Sequence, residues 1–261
     1  MIRMTTTNVY SVKGEVAGTV DVPAAFASEY RPDLIKKAIL AAAANGRQPY
    51  GPNKMSGMRH SVSTWGKGRG VARVQRLHDG RRATQSPNNI SGRRAHPPKV
   101  EKIWAQKINR KELKMSRLSA LAATANAECV KARGHVFDDK VSFPIVVDDA
   151  LNEVKTAAEV RQLFDAIGIG YDVDRAKDGT KIRAGKGKMR NRKYRTPVSV
   201  LIVISDKDRK AAVFSGAGNL PGVDVEEIST LNTSLLAPGG DAGRLTVYTK
   251  AAIEKIGEWT E

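Results

Sequence analysis

Cysteine is almost absent from this chain: Cys129 stands alone among 261 residues, so no disulfide framework can staple the fold. Long apolar runs are also missing. No stretch approaches the roughly 18 residues that a membrane-spanning helix needs, and the opening MIRMTTTNVYS lacks the apolar centre of a secretion signal. The chain is therefore expected to work in the cytoplasm. An anionic membrane surface would call for a lipidation signal or an amphipathic basic helix, and neither is found. Histidine is scarce. Three of the four (His60, His78 and His96) have no cysteine or carboxylate at ligand spacing, so no metal site is expected.

Acidic residues are nearly missing from two stretches. Residues 46–99 hold twelve Lys/Arg against Asp79 alone, and residues 181–195 hold eight Lys/Arg and no acid. Those nineteen charges exceed the whole-chain +17, leaving −2 for the other 192 residues. A near-neutral body thus carries two basic segments. An apolar fraction of 41% is enough for a real core, and a partner rich in phosphate would relieve the self-repulsion.

Periodicity places the elements. Residues 9–12 and 16–22 read as a hairpin or two edge strands broken at Gly14 and Gly18. Pro32 and Asp33 open a helix with Leu34, Ile35, Ala38, Ile39 and Ala42 on one face, stopped at Asn45-Gly46. Residues 110–133 read as one long helix with Met115, Leu118, Leu121, Ala122, Ala125 and Cys129 at helical spacing. Residues 143–147 form a short strand. Thr156-Ala157-Ala158-Glu159 is a capping box opening a helix that ends at Gly168. Residues 198–204, VSVLIVI, suit a strand covered on both faces. Further strands are expected at 211–214 and 245–248, with Thr249 capping a last helix through Ile256. The expected class is α/β: a mostly parallel, Rossmann-like central sheet flanked by helices, with one very long irregular basic loop. Residues 1–45 and 100–261 would form a single globular domain, and 46–99 an insertion in it. That insertion is far longer than ordinary loops and has no apolar period, so it would take its shape from a partner.

Arg47, Lys54, Arg59, Lys67, Arg69, Arg73, Arg76, Arg81, Arg82, Arg93, Arg94 and Lys99 recur along the insertion. Arginine outnumbers lysine nine to three, and its planar guanidinium both forks onto phosphate and stacks on bases. Gly66, Gly68 and Gly70 would let backbone approach a packed surface, and Trp65, His60, His78 and His96 could stack between bases. In the second segment Lys186, Lys188, Arg190, Arg192, Lys193 and Arg195 sit on a short loop anchored by the strand that follows, suited to docking on one groove. Tyr194 either stacks or joins the core, and its place beside the strand favours the core. Gly216-Ala217-Gly218-Asn219-Leu220-Pro221-Gly222 looks like a dinucleotide loop, but its spacing is GxGxxxG and Pro221-Gly222 opens no helix. Asp138-Asp139 and Asp148-Asp149 read as solvated turns. No nucleophile with a base partner emerges, and an enzyme with a cofactor is not the favoured expectation.

Several stretches together resemble one family. These are Gly66-Lys67-Gly68-Arg69-Gly70-Val71-Ala72-Arg73-Val74, Arg93-Arg94-Ala95-His96-Pro97-Pro98-Lys99 and Ser119-Ala120-Leu121-Ala122-Ala123-Thr124-Ala125. With them go Tyr194-Arg195-Thr196-Pro197 after the second basic segment, and Leu236-Ala237-Pro238-Gly239-Gly240 followed by Gly243-Arg244-Leu245-Thr246. The chain closely resembles, end to end, ribosomal protein four of the large subunit in its archaeal and eukaryotic form, and the short C-terminus points to the archaeal type. The resemblance implies a globular domain on the outside of the large subunit. It also implies an extension threading rRNA to the nascent-peptide exit tunnel, with its tip near residues 59–76. Trp65, Gly66, Lys67, Gly68 and Arg69 would lie at the tunnel wall. The implied partners are large-subunit rRNA, neighbouring ribosomal proteins and the nascent polypeptide near the tip; no membrane and no homo-oligomer are implied. The residues alone leave two other readings open: a Rossmann-like RNA methyltransferase with a basic recognition loop, and a histone-like charge condenser.

Overall fold

The computed structural model describes residues 6–90, 92–205 and 211–260; the opening MIRMT lies outside them. The chain divides into two compact units, one made of Met1–Ala42 with Lys107–Glu261 and the other of Ala43–Gln106.

In the larger unit β1 (Thr6–Tyr10) and β2 (Val16–Asp21) pair as an antiparallel hairpin, the first of the two arrangements left open by the sequence, and Gly14 takes the left-handed turn between them at φ 84°. Helix α1 (Pro32–Asn45) starts at the expected proline and stops at the expected asparagine. Its buried stripe is Ile35, Ala38 and Ala41, so the face is turned slightly from the expected one and Ala42 is exposed. The second unit contributes only two short strands, β3 (Val62–Ser63) and β4 (Arg76–Leu77).

The single helix expected over 110–133 is two: α2 (Arg110–Thr124) and α3 (Ala127–Arg133). Asn126 makes the break, since its side chain accepts the Glu128 N–H at 2.9 Å and caps a new helix. The buried face of α2 is small and hydroxylated rather than aliphatic. Ser116, Ser119, Ala120, Leu121, Ala123 and Thr124 point inward, whereas Met115 is exposed. The hydroxyls are used: Ser119 Oγ accepts the Arg31 N–H at 2.6 Å, and Thr124 Oγ1 lies 2.8 Å from the buried Tyr248 hydroxyl.

Strand β5 (Ile145–Val147) precedes α4 (Ala157–Ile167), whose capping box from Thr156 to Glu159 and left-handed Gly168 stop are both present. Then come α5 (Gly170–Asp178), β6 (Lys181–Ile182), β7 (Tyr194–Arg195) and β8 (Leu201–Ile204). The strand expected at 211–214 is instead the start of helix α6 (Val213–Ala217), and the strand beyond it is β9 (Asp224–Glu227). Last come α7 (Thr233–Leu236), β10 (Thr246–Thr249) and α8 (Lys250–Gly257).

The six-stranded sheet runs β2-β1-β5-β10-β8-β9, parallel at every pairing except β1 with β2. Alternation along its strands divides the core. Ile145, Val147, Ile202, Ile204 and Val247 face Val160, Leu163, Phe164 and Val173 of α4 and α5. Val9, Val146, Leu201, Val203 and Tyr248 face Ile35, Leu121, Ile253 and Ile256 of α1, α2 and α8. The uninterrupted run at 198–204 is thus explained: β8 lies between β10 and β9 with helices over both faces. Thr249 stands at the N-cap of α8, but its hydroxyl makes no cap bond; Asp149 Oδ1 accepts the Ala251 N–H at 3.0 Å instead. Asp149 is therefore a helix cap supplied from another loop, not a solvated turn residue.

Candidate nucleic-acid interface

The second unit shows how a segment without an apolar period can hold a shape. At its neck Asn45 and Gln106 clamp each other: the Gln106 N–H donates to Asn45 Oδ1 at 2.8 Å, and Asn45 Nδ2 donates to Gln106 O at 3.3 Å. Next to the clamp the Arg47 guanidinium lies 3.8 Å from the Trp104 ring centre, with Lys102 Nζ at 4.3 Å. The outgoing and returning limbs lie backbone to backbone where glycine permits. A Cβ on Gly51 would meet Pro98 O at 2.7 Å, and one on Gly57 would meet Arg93 Cα at 2.7 Å. Among the described residues of this unit Thr84 alone is buried, so polar and backbone contacts, not a core, set its form.

Strands β3 and β4 pair Val62 with Leu77 and Ser63 with Arg76, and the tip lies between them. Gly66, Gly68 and Gly70 all have positive φ, and a Cβ on any of them would meet open space. Their role is to turn the chain. Within the chain, close backbone approach occurs at Gly51, Gly57 and Gly92. Trp65 is half-buried under two arginines, with Arg69 and Arg76 guanidinium carbons 5.5 and 5.4 Å from its ring centre.

The cations divide into two kinds. Arg59, Lys67, Arg69, Arg73, Arg81, Arg82, Arg94 and Lys99 are exposed, as are His60, His78 and His96. Arg76 and Arg93 are half-buried. Arg76 braces the tip, donating to the carbonyl oxygens of Ala72 (3.1 Å) and Arg81. Lys54 is ion-paired with Glu101.

The other basic segment is a hairpin. β6 and β7 pair Lys181 with Arg195 and Ile182 with Tyr194, and a helical turn at Lys186–Met189 forms the tip. Arg183 is turned inward as a strut: its Nε donates to Arg192 O at 3.1 Å, and its stem lies along Gly187. Lys186, Lys188, Arg190, Arg192, Lys193 and Arg195 are spread around the ribbon and exposed. Tyr194 is exposed too, correcting the expectation that it joins the core: its strand precedes the buried one instead of lying within it.

Both ends of the hairpin are fixed to the body by a polar network that the pattern of hydrophobic residues gave no hint of. The buried Asp172 carboxylate accepts Arg175 Nε at 2.8 Å, Ser199 Oγ at 2.7 Å and the Val136 N–H at 3.1 Å, and it lies 3.0 Å from His135 Nδ1. Arg175 also donates to Val198 O at 2.8 Å, and Thr180 bonds Thr196 at 3.3 Å. The chain entering the hairpin is thereby tied to the chain leaving it. Burial alone would raise the Asp172 carboxyl, but the bonds from His135, Arg175 and Ser199 outweigh it and hold the group well below the usual carboxylate range. Burial pushes the His135 imidazole down, against the pull of Asp172. The nearly inaccessible Arg244 joins the starts of three strands, donating to Ser199 O at 3.0 Å, Leu235 O at 3.1 Å and the Asp224 carboxylate. Only the Asp172–Arg175 spacing, one helical turn, was open to a sequence reading.

The glycine-rich segment at 216–222 is structural. Gly216 lies in α6, where a Cβ would meet Val154 O at 3.0 Å, and Gly222 turns the chain into β9 at φ 72°. No group of three or more potential metal ligands occurs among the described residues, and no helix among them is long and apolar enough to cross a membrane. What the two basic elements offer is an array of exposed guanidinium and ammonium groups, suited to phosphate contact.

Comparison with known proteins bears on the same residues. The model of the ribosomal protein L4/L1 family matches residues 20–259. A large ribosomal subunit protein uL4 from Archaeoglobus fulgidus is 50% identical over 251 residues, covering 96% of this chain and 98% of the relative. The protein of the same name from Methanocaldococcus jannaschii is 49% identical over 96% of this chain and 97% of its own, and that from Methanosphaera stadtmanae is 47% identical over 96% of each.

Proposed function

The chain belongs to the ribosomal protein L4/L1 family, in its archaeal form, and from that premise we propose that it builds the large ribosomal subunit by binding rRNA through two separate basic elements. Family membership makes it a ribosomal protein of the large subunit, a component of translation rather than a catalyst. Residues 1–45 and 100–261 form the Rossmann-like body, and 46–99 is an insertion that takes its final shape on RNA. Its exposed arginines screen phosphates that packed rRNA helices would otherwise force together. The tip around Trp65, Gly66, Lys67, Gly68 and Arg69 contributes to the wall of the nascent-peptide exit tunnel, and the 181–195 hairpin docks on the subunit surface. The protein acts as one copy in cytoplasmic ribosomes, beside neighbouring ribosomal proteins.

The observation that carries this reading is the charge division: +19 on two segments whose cations are mostly exposed, against −2 on the rest. If roughly ten phosphates are contacted, a plot of log affinity for large-subunit rRNA against log salt should have a slope of about −7 to −9. A slope near −2 would sink the proposal, as would equal affinity for random RNA. Stoichiometric co-sedimentation with large subunits in moderate salt is the companion expectation.

A further inference from the structure

The basic hairpin has two chemically different sides. Lys181 is paired with Arg195 and Ile182 with Tyr194. Cross-strand partners project to the same side of a ribbon, and successive residues along a strand to opposite sides. The ladder continues where the Arg183 N–H donates to Lys193 O at 2.8 Å, which returns those two residues to the side of Lys181 and Arg195. One side therefore carries Lys181 and Arg195, with Arg183 folded in as the strut and the Lys193 ammonium bent back toward the Tyr194 ring, and the other carries Ile182 and Tyr194. Bonded pairs alternate with non-bonded ones in an antiparallel ladder, so Ile182 and Tyr194 form the non-bonded pair, where side chains stand closest. Each is 59% exposed, and Met189 at the tip is 71% exposed. An aliphatic group beside a phenol ring, both mostly open to water on a ribbon this cationic, leaves apolar surface that the chain itself does not bury.

We propose that Tyr194 and Ile182 form a stacking platform for one unpaired nucleotide of the bound RNA, while the cations of the opposite side and of the tip take its flanking phosphates. The proposal rests on the RNA reading given above and specifies the kind of RNA that this hairpin engages. A nucleotide supplies a flat π-face and a phosphate in one ligand, which matches the two sides of the ribbon. A protein partner would need an apolar patch ringed by acids, because the segment holds eight cations and no acid, and Lys193 Nζ itself lies 5.4 Å from the Tyr194 ring centre.

The test uses the full chain and a transcript of large-subunit rRNA, with affinity measured across a salt series for Tyr194→Phe, Tyr194→Leu, Tyr194→Ala and the double variant Lys181→Gln/Arg195→Gln. Phe keeps the ring and should bind like the parent. Leu and Ala should lose roughly 5- to 150-fold, the range for one stacked base, with the salt slope unchanged. The double variant should instead flatten the slope by about 1.4 to 1.8. If Leu binds as tightly as Phe, the face is a generic apolar contact such as a protein would make, and stacking is overturned. It is overturned equally if Ala is silent while the double variant flattens the slope. If the double variant changes neither affinity nor slope, the RNA reading of the hairpin itself fails. The Phe and Leu variants both fill the ribbon, so their contrast stands even if Ala loosens it.

Discussion

His135 is the histidine that folding buries, and its environment disfavours the protonated ring. Nδ1 faces the Asp172 carboxylate at 3.0 Å, whereas Nε2 is buried with no partner. A protonated imidazole would aim its second N–H at nothing, so burial holds the group below its usual value. The consequence for stability has a definite sign. Below about pH 6.5 the unfolded chain takes up a proton that the folded chain refuses, so stability falls as pH drops through that value. Asp172, whose carboxyl is held low, adds a second loss in a separate window below about pH 4, where the unfolded chain protonates first. The melting temperature should therefore decline between pH 7 and pH 5. His135→Gln, whose amide can still donate to Asp172, should flatten that decline. Parallel pH profiles for parent and variant would show that the ring is not held neutral.

The limbs of the basic unit depend on glycines at particular points, and two of them separate cleanly. Gly57 combines φ 79° with a close approach: an added Cβ would lie 2.7 Å from Arg93 Cα, a backbone atom that cannot step aside. Gly68 has a similar φ of 82° but open space around it. Gly68→Ala should cost only the left-handed conformation, about 1–2 kcal/mol. Gly57→Ala should cost that and also part the limbs. Limited proteolysis within residues 46–99 should accelerate markedly for Gly57→Ala and little for Gly68→Ala; equal rates would mean that the limbs do not need the close approach. These glycines also mark the limit of what the sequence could tell. The hairpin, α1, the capping box of α4 and β8 were legible because each has a local cause: alternation, a helix-opening proline, a reciprocal cap, a β-branched run. The split between α2 and α3 was not, since Asn126 could as well have stayed inside a helix; nor was α6, since Ala211-Ala212-Val213-Phe214, which leads into it, reads as extended from its sequence. For the candidate site, the sequence marked where the charge lies but not its division. Nothing local tells that Arg76 and Arg183 are struts while Arg69 and Arg190 are exposed, or that Asp172 ties down the hairpin across 27 residues to Ser199.

A body of near-zero charge bearing two strongly basic elements behaves as a stable platform only if its core is independent of them. Neither of the two hydrophobic clusters that cover the sheet takes a residue from Ala43–Gln106, and that unit buries Thr84 alone among its described residues. Removing residues 55–80 takes out the tip and parts of both limbs, including five of the twelve cations of the 46–99 stretch and its one acid. The core should not register the loss. Closing a shorter loop lowers the entropic cost of folding slightly, by about 0.6 kcal/mol per halving of loop length, and removing a net charge of +4 relieves some self-repulsion. Both effects act in the stabilising direction, so the shortened chain should melt at or slightly above the temperature of the parent. RNA binding should respond in the opposite sense. With fewer phosphates neutralised the salt slope should become shallower, by about 0.7 to 0.9 for each phosphate no longer bound, and affinity should drop most at low salt. The two measurements have to separate. A shortened chain that unfolds would mean that the insertion is part of the folding unit, and one that binds with an unchanged slope would leave all the phosphate binding to the 181–195 hairpin and the limb stumps.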